Sequence, residues 1–211
     1  MRTRYALFLA VLLAAFTTAN ADTLKFTGTA TNTTLTVHDD TIGTVTGYID
    51  PYLGVLNGTA ITMFCVDPDH DVNIGDQWQV FVTPASASNW SNTYQKNQTT
   101  YEEMAYLASQ MLATNDAAVR QAIQAVIWNL ADPTLYAYIP SGVDPTWWNT
   151  ELSNLRAAAL ANPMTSGFEI LSDTTGAKQE YLYLTPEPAS LLLLGTGFLG
   201  VFELKRRKRY N

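Results

Sequence analysis

Apolar and polar positions alternate along the first third of the chain. From Leu24 to about Thr83 the segments LKFTGTATNTTLTV, TVTGYI, GTAITMFCV and QWQVFVT are rich in Thr and Val, with glycines between them. A period of two in β-branched and aromatic residues predicts half-buried strands. From Pro84 to Gln98 the chain is rich in Ser, Asn and Thr and reads as a loop. The period then lengthens. Thr99 and Thr100 each have a glutamate three residues on, at Glu102 and Glu103, which is capping-box spacing. They predict a helix over YEEMAYLASQMLA. A second helix, AAVRQAIQAVIWNLA, begins near Asn115 or Asp116 and stops at Asp132-Pro133, because the residue before proline avoids helical geometry. A third opens on Asp144-Pro145, a cap followed by a first-turn proline, and runs to Asn162-Pro163. Two short strands, GFEIL and EYLYLT, follow. The pattern predicts an α+β fold: a β-rich, sandwich-like first half, an insert of about three helices and a closing β-hairpin.

A helical wheel of the second helix sorts its residues. Val119, Ile123, Val126 and Leu130 make an apolar face flanked by Ile127, and Ala118, Ala122 and Ala125 cover the next side. The remaining stripe carries Ala117, Gln121, Gln124 and Trp128. Glutamine is usually exposed, so the plain expectation puts both carboxamides at the solvent edge.

Charge changes the picture in one respect. The 211 residues carry 12 basic and 19 acidic groups, but seven of the basic ones lie at the two ends. Lys25, Lys96, Arg120, Arg156 and Lys178 alone face eighteen acidic groups between Asp22 and Pro188, a net charge of −13. Such a body repels phosphates, which excludes nucleic acid as a partner.

The ends read as addresses. Arg2 and Arg4, an apolar run from Tyr5 to Phe16 and the small-x-small triplet Ala19-Asn20-Ala21 form a secretory signal over residues 1–21, with cleavage by signal peptidase expected after Ala21. At the other end Pro186-Glu187-Pro188 precedes an apolar stretch, Ala189 to Phe202, and a basic cluster, Lys205, Arg206, Arg207, Lys208 and Arg209. The apolar stretch has 14 residues, where a bilayer-spanning helix wants about 20, and the basic cluster is expected to stay on the cytoplasmic side. The three ordered elements of residues 186–211 resemble the PEP-CTERM sorting signal; Glu203 is a departure from the pattern. The resemblance implies an exosortase substrate, held transiently in the inner membrane by its tail and cut near the Pro-Glu-Pro. The expected mature body is therefore residues 22–185, at the cell surface or outside the cell. The tail speaks of location and not of activity.

Within the body lies one cysteine, Cys65, in MFCVDPDHD. An odd cysteine in an exported protein is ordinarily a small buried hydrophobe or half of an intermolecular disulfide. Phe64-Cys65 followed downstream by Gln124-Ala125-Val126-Ile127-Trp128 resembles the thioester domain of bacterial surface adhesins, which pairs an aromatic-Cys strand motif with a Gln-x-Ala-Ile-Trp helix motif. Ile123 and Val126 depart from that pattern, where threonine and alanine are usual. The resemblance implies that the Cys65 thiolate attacks the Gln124 carboxamide and expels ammonia, leaving an acyl group that an amine or hydroxyl on a surface or matrix target can take. Phe64, Trp128, Tyr101 and Tyr106 are the aromatic candidates to shield such a bond from water.

Two further readings of the same segment compete. Asp67, Asp69, Asp71 and Asn73 recur at every second position and could offer oxygens to calcium, but Val72 and Trp78 break the EF-hand template, and an acidic turn accounts for the spacing. One cysteine and two histidines do not suggest zinc. A hydrolase nucleophile at Cys65 would have only His38 and His70 as imidazole bases. The sequence therefore implies no cofactor and no enzyme. It points to an exported adhesive protein with a Cys65–Gln124 thioester. The alternative is a non-covalent structural protein of the extracellular polysaccharide matrix with an inert cysteine.

Overall fold

The computed structural model describes residues 21–40, 43–49 and 51–185. Ala19 of the signal site, the sorting residues Pro186, Glu187, Pro188 and Lys205 to Arg209, and the apolar stretch between them lie outside the described residues. Among those described, no helix is long and apolar enough to cross a membrane.

The fold is α+β, with a β-rich first half, three helices and closing strands. The described residues form the strands β1 (Asp22–Thr29), β2 (Thr34–Asp39), β3 (Gly43–Tyr48), β4 (Tyr52–Leu56), β5 (Thr59–Cys65), β6 (Gln77–Pro84), β7 (Tyr136–Ala137), β8 (Phe168–Asp173) and β9 (Tyr181–Leu184). The helices are α1 (Gln98–Ala113), α2 (Ala117–Ala131) and α3 (Pro145–Ala161). Six strands close into a barrel in the order β1-β4-β5-β9-β8-β6, and β3-β2-β7 form a small separate sheet. The β-rich half is thus a barrel with a sheet beside it, where the alternation alone suggested something sandwich-like. All pairings are antiparallel. The closing hairpin enters the barrel between β5 and β6, so the last strands of the body complete a structure begun by the first.

Alternation in β1 places Leu24 and Phe26 inward and Lys25 outward. Between Phe26 and Gly28 the register against β4 slips by one residue. Gly28 takes φ +146°, open to a residue without Cβ, and supplies the bend a small barrel needs. Aromatic rings fill the interior: Phe26 lies 5.5 Å from Tyr52, and Tyr181 lies 5.4 Å from Tyr52 and 6.3 Å from Trp78. On β8, the start of β9 and the end of β5 alternation gives way to near-continuous burial. These strands are covered on both faces, with α1 packed against β9.

The helix starts show how far local signals reach. Asp116 caps α2, accepting from Ala118 and Val119 backbone N–H at 2.8 and 3.2 Å, and Asp144 caps α3 ahead of Pro145. For α1 the expected cap at Thr99 or Thr100 is corrected: Asn97 caps the helix, accepting from Thr99 N at 3.2 Å. Asn97 is an equally good cap and stands two to three residues earlier, so the helix gains length.

Candidate functional site

Cys65 is the last residue of β5, directly opposite Tyr181 of β9. Paired residues share a face, so its side chain points toward the barrel's aromatic interior. It is wholly buried and forms no disulfide. Its thiol donates to the Asp67 carbonyl at 3.1 Å. Burial, with the nearby Asp67 carboxylate adding to it, pushes the thiol up to about 12. The Trp128 indole N–H acts in the other direction, favouring the thiolate. It stops short of a hydrogen bond and has no partner among the described residues.

The helix α2 brings the second half. Its stripe of Gln121, Gln124 and Trp128 runs along the seam between the small sheet and the barrel. Gln121 stays partly exposed and donates to the Thr34 carbonyl of β2 at 2.8 Å. Three residues on, Gln124 is 1 % exposed, and its Nε2 donates to the Cys65 carbonyl at 2.8 Å. Its Oε1 is buried with no partner among the described residues. Trp128 lies against Gly47 of β3, where a Cβ would come within 3.1 Å of its ring. A glycine there makes room for the indole that covers the sulfur. The expectation that both carboxamides sit at the solvent edge holds for Gln121 and fails for Gln124, because the helix buries it against β5.

The other aromatic candidates are distributed. Phe64 precedes Cys65 on the strand and so faces the opposite side, where it pairs with Leu182. Tyr101 is buried but stacks on Trp90 at 5.5 Å and gives its hydroxyl to Glu180. Tyr106 is half-buried on α1. Of the four, Trp128 is the one placed at the sulfur.

The segment after Cys65 is not extended. Asp67 is buried and its carboxylate is occupied: Oδ1 accepts from Asp69 N at 2.9 Å, and Oδ2 from His70 Nδ1 at 2.8 Å and Glu180 N at 3.3 Å. Asp69, Asp71 and Asn73 are exposed. Among the described residues no group of three or more ligating side chains could hold a metal. Asp67 closes a turn instead of facing an ion.

Glu180 is a functional-looking residue that sequence reasoning passed over. It is fully buried just before β9. Oε1 accepts from Tyr94 N at 2.9 Å and Ser172 Oγ at 2.5 Å, and Oε2 from the Tyr101 hydroxyl. Burial pushes its carboxyl up to about 7 despite these donors. The only hint in the sequence is a charge at the head of the apolar run YLYL. Beside this cluster opens a cleft of about 510 Å³ lined in part by Asp67, Asp69, His70, Tyr94, Lys96 and Asp132.

No curated protein matches this chain in sequence. Among solved structures it is similar to the N-terminal thioester domain of a surface protein from Clostridium perfringens, at 9% identity and a TM-score of 0.42, over 72% of this chain and 99% of that one. Residues 184–209 match the PEP-CTERM protein-sorting motif, which implies export, association with the cell envelope through the C-terminal tail and processing by an exosortase.

Proposed function

We propose that this exported protein forms an internal thioester between Cys65 and Gln124 and uses it once, to attach covalently to an amine or hydroxyl on a surface or matrix target. It is an acyl donor and not an enzyme. The observation that carries this reading is the burial of the Gln124 carboxamide against Cys65: Nε2 is 2.8 Å from the cysteine's carbonyl, and Oε1 has no partner among the described residues. A buried polar atom left unpaired costs about 1–3 kcal/mol, so one held beside a lone thiol asks for a reason. In bond formation the sulfur adds to the Gln124 carbonyl carbon, the C–N bond breaks, and the thiol proton leaves with the nitrogen as ammonia. An incoming amine or hydroxyl then takes the acyl group and returns the thiol.

A second reading is favoured by one observation. A thiol pushed up to about 12 that donates to a backbone carbonyl is an ordinary inert cysteine, as in a non-covalent matrix protein. Intact mass decides between them. The thioester protein is lighter than its sequence by one ammonia, resists alkylation, and gains methylamine at Gln124 as Cys65 becomes alkylatable. Cys65→Ala and Gln124→Ala each abolish the uptake, and Gln121→Ala retains it. An unmodified mass, with the thiol of unfolded protein alkylated in full and no amine uptake, establishes the inert cysteine instead.

A further inference from the structure

The cleft that begins at Asp67, two residues after Cys65, matters to the proposed bond. One wall is the segment that follows Cys65, through Asp67, Pro68, Asp69 and His70. The lining also includes Ala131 and Asp132, at the C-terminal end of the helix that carries Gln124 and Trp128. The cleft thus borders the chain just after Cys65 and the end of the helix that carries Gln124. It is open to solvent, and at about 510 Å³ it admits a side chain or a small amine. His70 is its one imidazole. Nδ1 bonds the buried Asp67 carboxylate at 2.8 Å, which fixes the tautomer with the proton on Nδ1 and leaves Nε2 as the acceptor. The Tyr94 ring, 5.5 Å away, holds the imidazole plane. Among the described residues nothing bonds Nε2. Asp67 also takes the Cys65 thiol on its carbonyl, so one residue positions both the sulfur and the imidazole.

We infer that this cleft is the approach route of the target nucleophile, and that His70, oriented by Asp67, is the base that takes its proton and passes it to the departing Cys65 sulfur. The inference rests on the thioester reading. The nucleophile's nitrogen or oxygen forms a bond to the Gln124 acyl carbon, its proton moves to His70 Nε2, the carbon–sulfur bond breaks, and the imidazolium returns that proton to Sγ. No other reactant is needed. The site has a use for the return step. Its surroundings disfavour a thiolate strongly, so the sulfur leaves poorly unless a proton is delivered. The same property protects the bond at rest. The groups facing His70 are Asp67 on its own segment, Tyr94 and Lys96 from the loop before α1, and Asp132 from the end of α2, with Asp69 beside it and Glu180 behind Asp67.

The test uses the full body of the protein and methylamine as the probe. Intact mass first establishes the bond in wild type; if it is absent, the thioester reading itself falls. With the bond present, the rate of methylamine uptake is followed from pH 5 to 9 in wild type, His70→Asn and His70→Gln. The expected result is a loss of about 100-fold in both variants, disappearance of the imidazole bend in the pH profile, and partial recovery with added imidazole. A folded variant that never loses ammonia also supports the role, since bond formation is the same acyl transfer run with ammonia as the leaving amine. Should one variant fail to fold, the other and the wild-type profile still decide. Uptake at the wild-type rate in either folded variant, or a wild-type profile with no bend, overturns the assignment while leaving the thioester intact.

Discussion

Two buried polar clusters flank the pairing of β5 with β9, and they are built differently. Glu180 sits one residue before Tyr181, and its carboxylate oxygens are met by Tyr94 N, Ser172 Oγ and the Tyr101 hydroxyl. Gln124 reaches the partner strand with one bond made, and among the described residues neither its oxygen nor the Trp128 N–H has a partner. Both side chains are about equally buried. The first cluster joins the loop before α1, α1 itself, β8 and the start of β9, and removing any part leaves groups that water cannot reach. The second keeps a carboxamide oxygen and an indole N–H without partners among the described residues. The first is built as a structural network, and the second is where the proposed thioester places its chemistry.

Several measurements would break or sharpen that contrast. The largest effect is expected for Glu180→Leu, which strands three donors at about 1–3 kcal/mol each. Chemical denaturation should show a loss of at least about 3 kcal/mol, or no folded protein. Acidity comes next. The folded state holds a proton on Glu180 up to about pH 7, whereas the unfolded chain releases it near the ordinary value of 4.5. The native state binds more protons in that window, so stability falls as pH rises from about 4.5 to 7 and stays low above it. The drop from this group is on the order of 3 kcal/mol. Glu180→Gln, which imitates the protonated carboxyl, should flatten the dependence. Wild type and variant with the same slope over that window would show that the carboxylate is charged throughout.

Tyr101→Phe removes one donor from a carboxylate and should cost about 1.5–3 kcal/mol, most of it at high pH where Glu180 is ionised. The second cluster should respond less. In Cys65→Ala protein, where no bond can form, Gln124→Met exchanges a half-satisfied carboxamide for an apolar chain of similar size. The expected cost is within about 1 kcal/mol. A penalty as large as that of Glu180→Leu would make Gln124 a structural residue like Glu180 and remove the contrast. Smallest is Gln121→Ala, at a partly exposed site on the same stripe, within about 0.5 kcal/mol.

Much of the architecture was legible along the chain because it depends on short-range rules. Two of the three helix starts follow from Asp116 and Asp144, and the stops from Asp132-Pro133 and Asn162-Pro163. The sorting tail is contiguous and was readable as such, and residues 184–209 match the sorting motif. Less legible was whatever depends on pairing across distance. β4 is five residues long with a glycine at its centre and carries little periodic signal, and β7 has only two residues. Threonines with glutamates three residues on looked like the start of α1, but Asn97 competes with them locally and wins.

For the candidate site the division is sharper. The sequence by itself determined the lone cysteine, the Gln124 to Trp128 motif, the stripe they share on a helix, and the acidic body. It could not decide between Gln121 and Gln124 by burial, since both lie on that stripe. Tertiary structure separated them: β2 meets the helix at Gln121, and β5 meets it at Gln124. It also turned the regularly spaced aspartates into a turn around Asp67, and set His70 on the cleft. Glu180, unremarked beside a short apolar run, became the centre of a network drawn from four segments. Periodicity tells which side of an element is buried, because that follows from backbone geometry within a few residues. It does not tell which element lies on that side, because contact between Cys65 and Gln124 is fixed only when β9 closes the barrel and the helices pack against it.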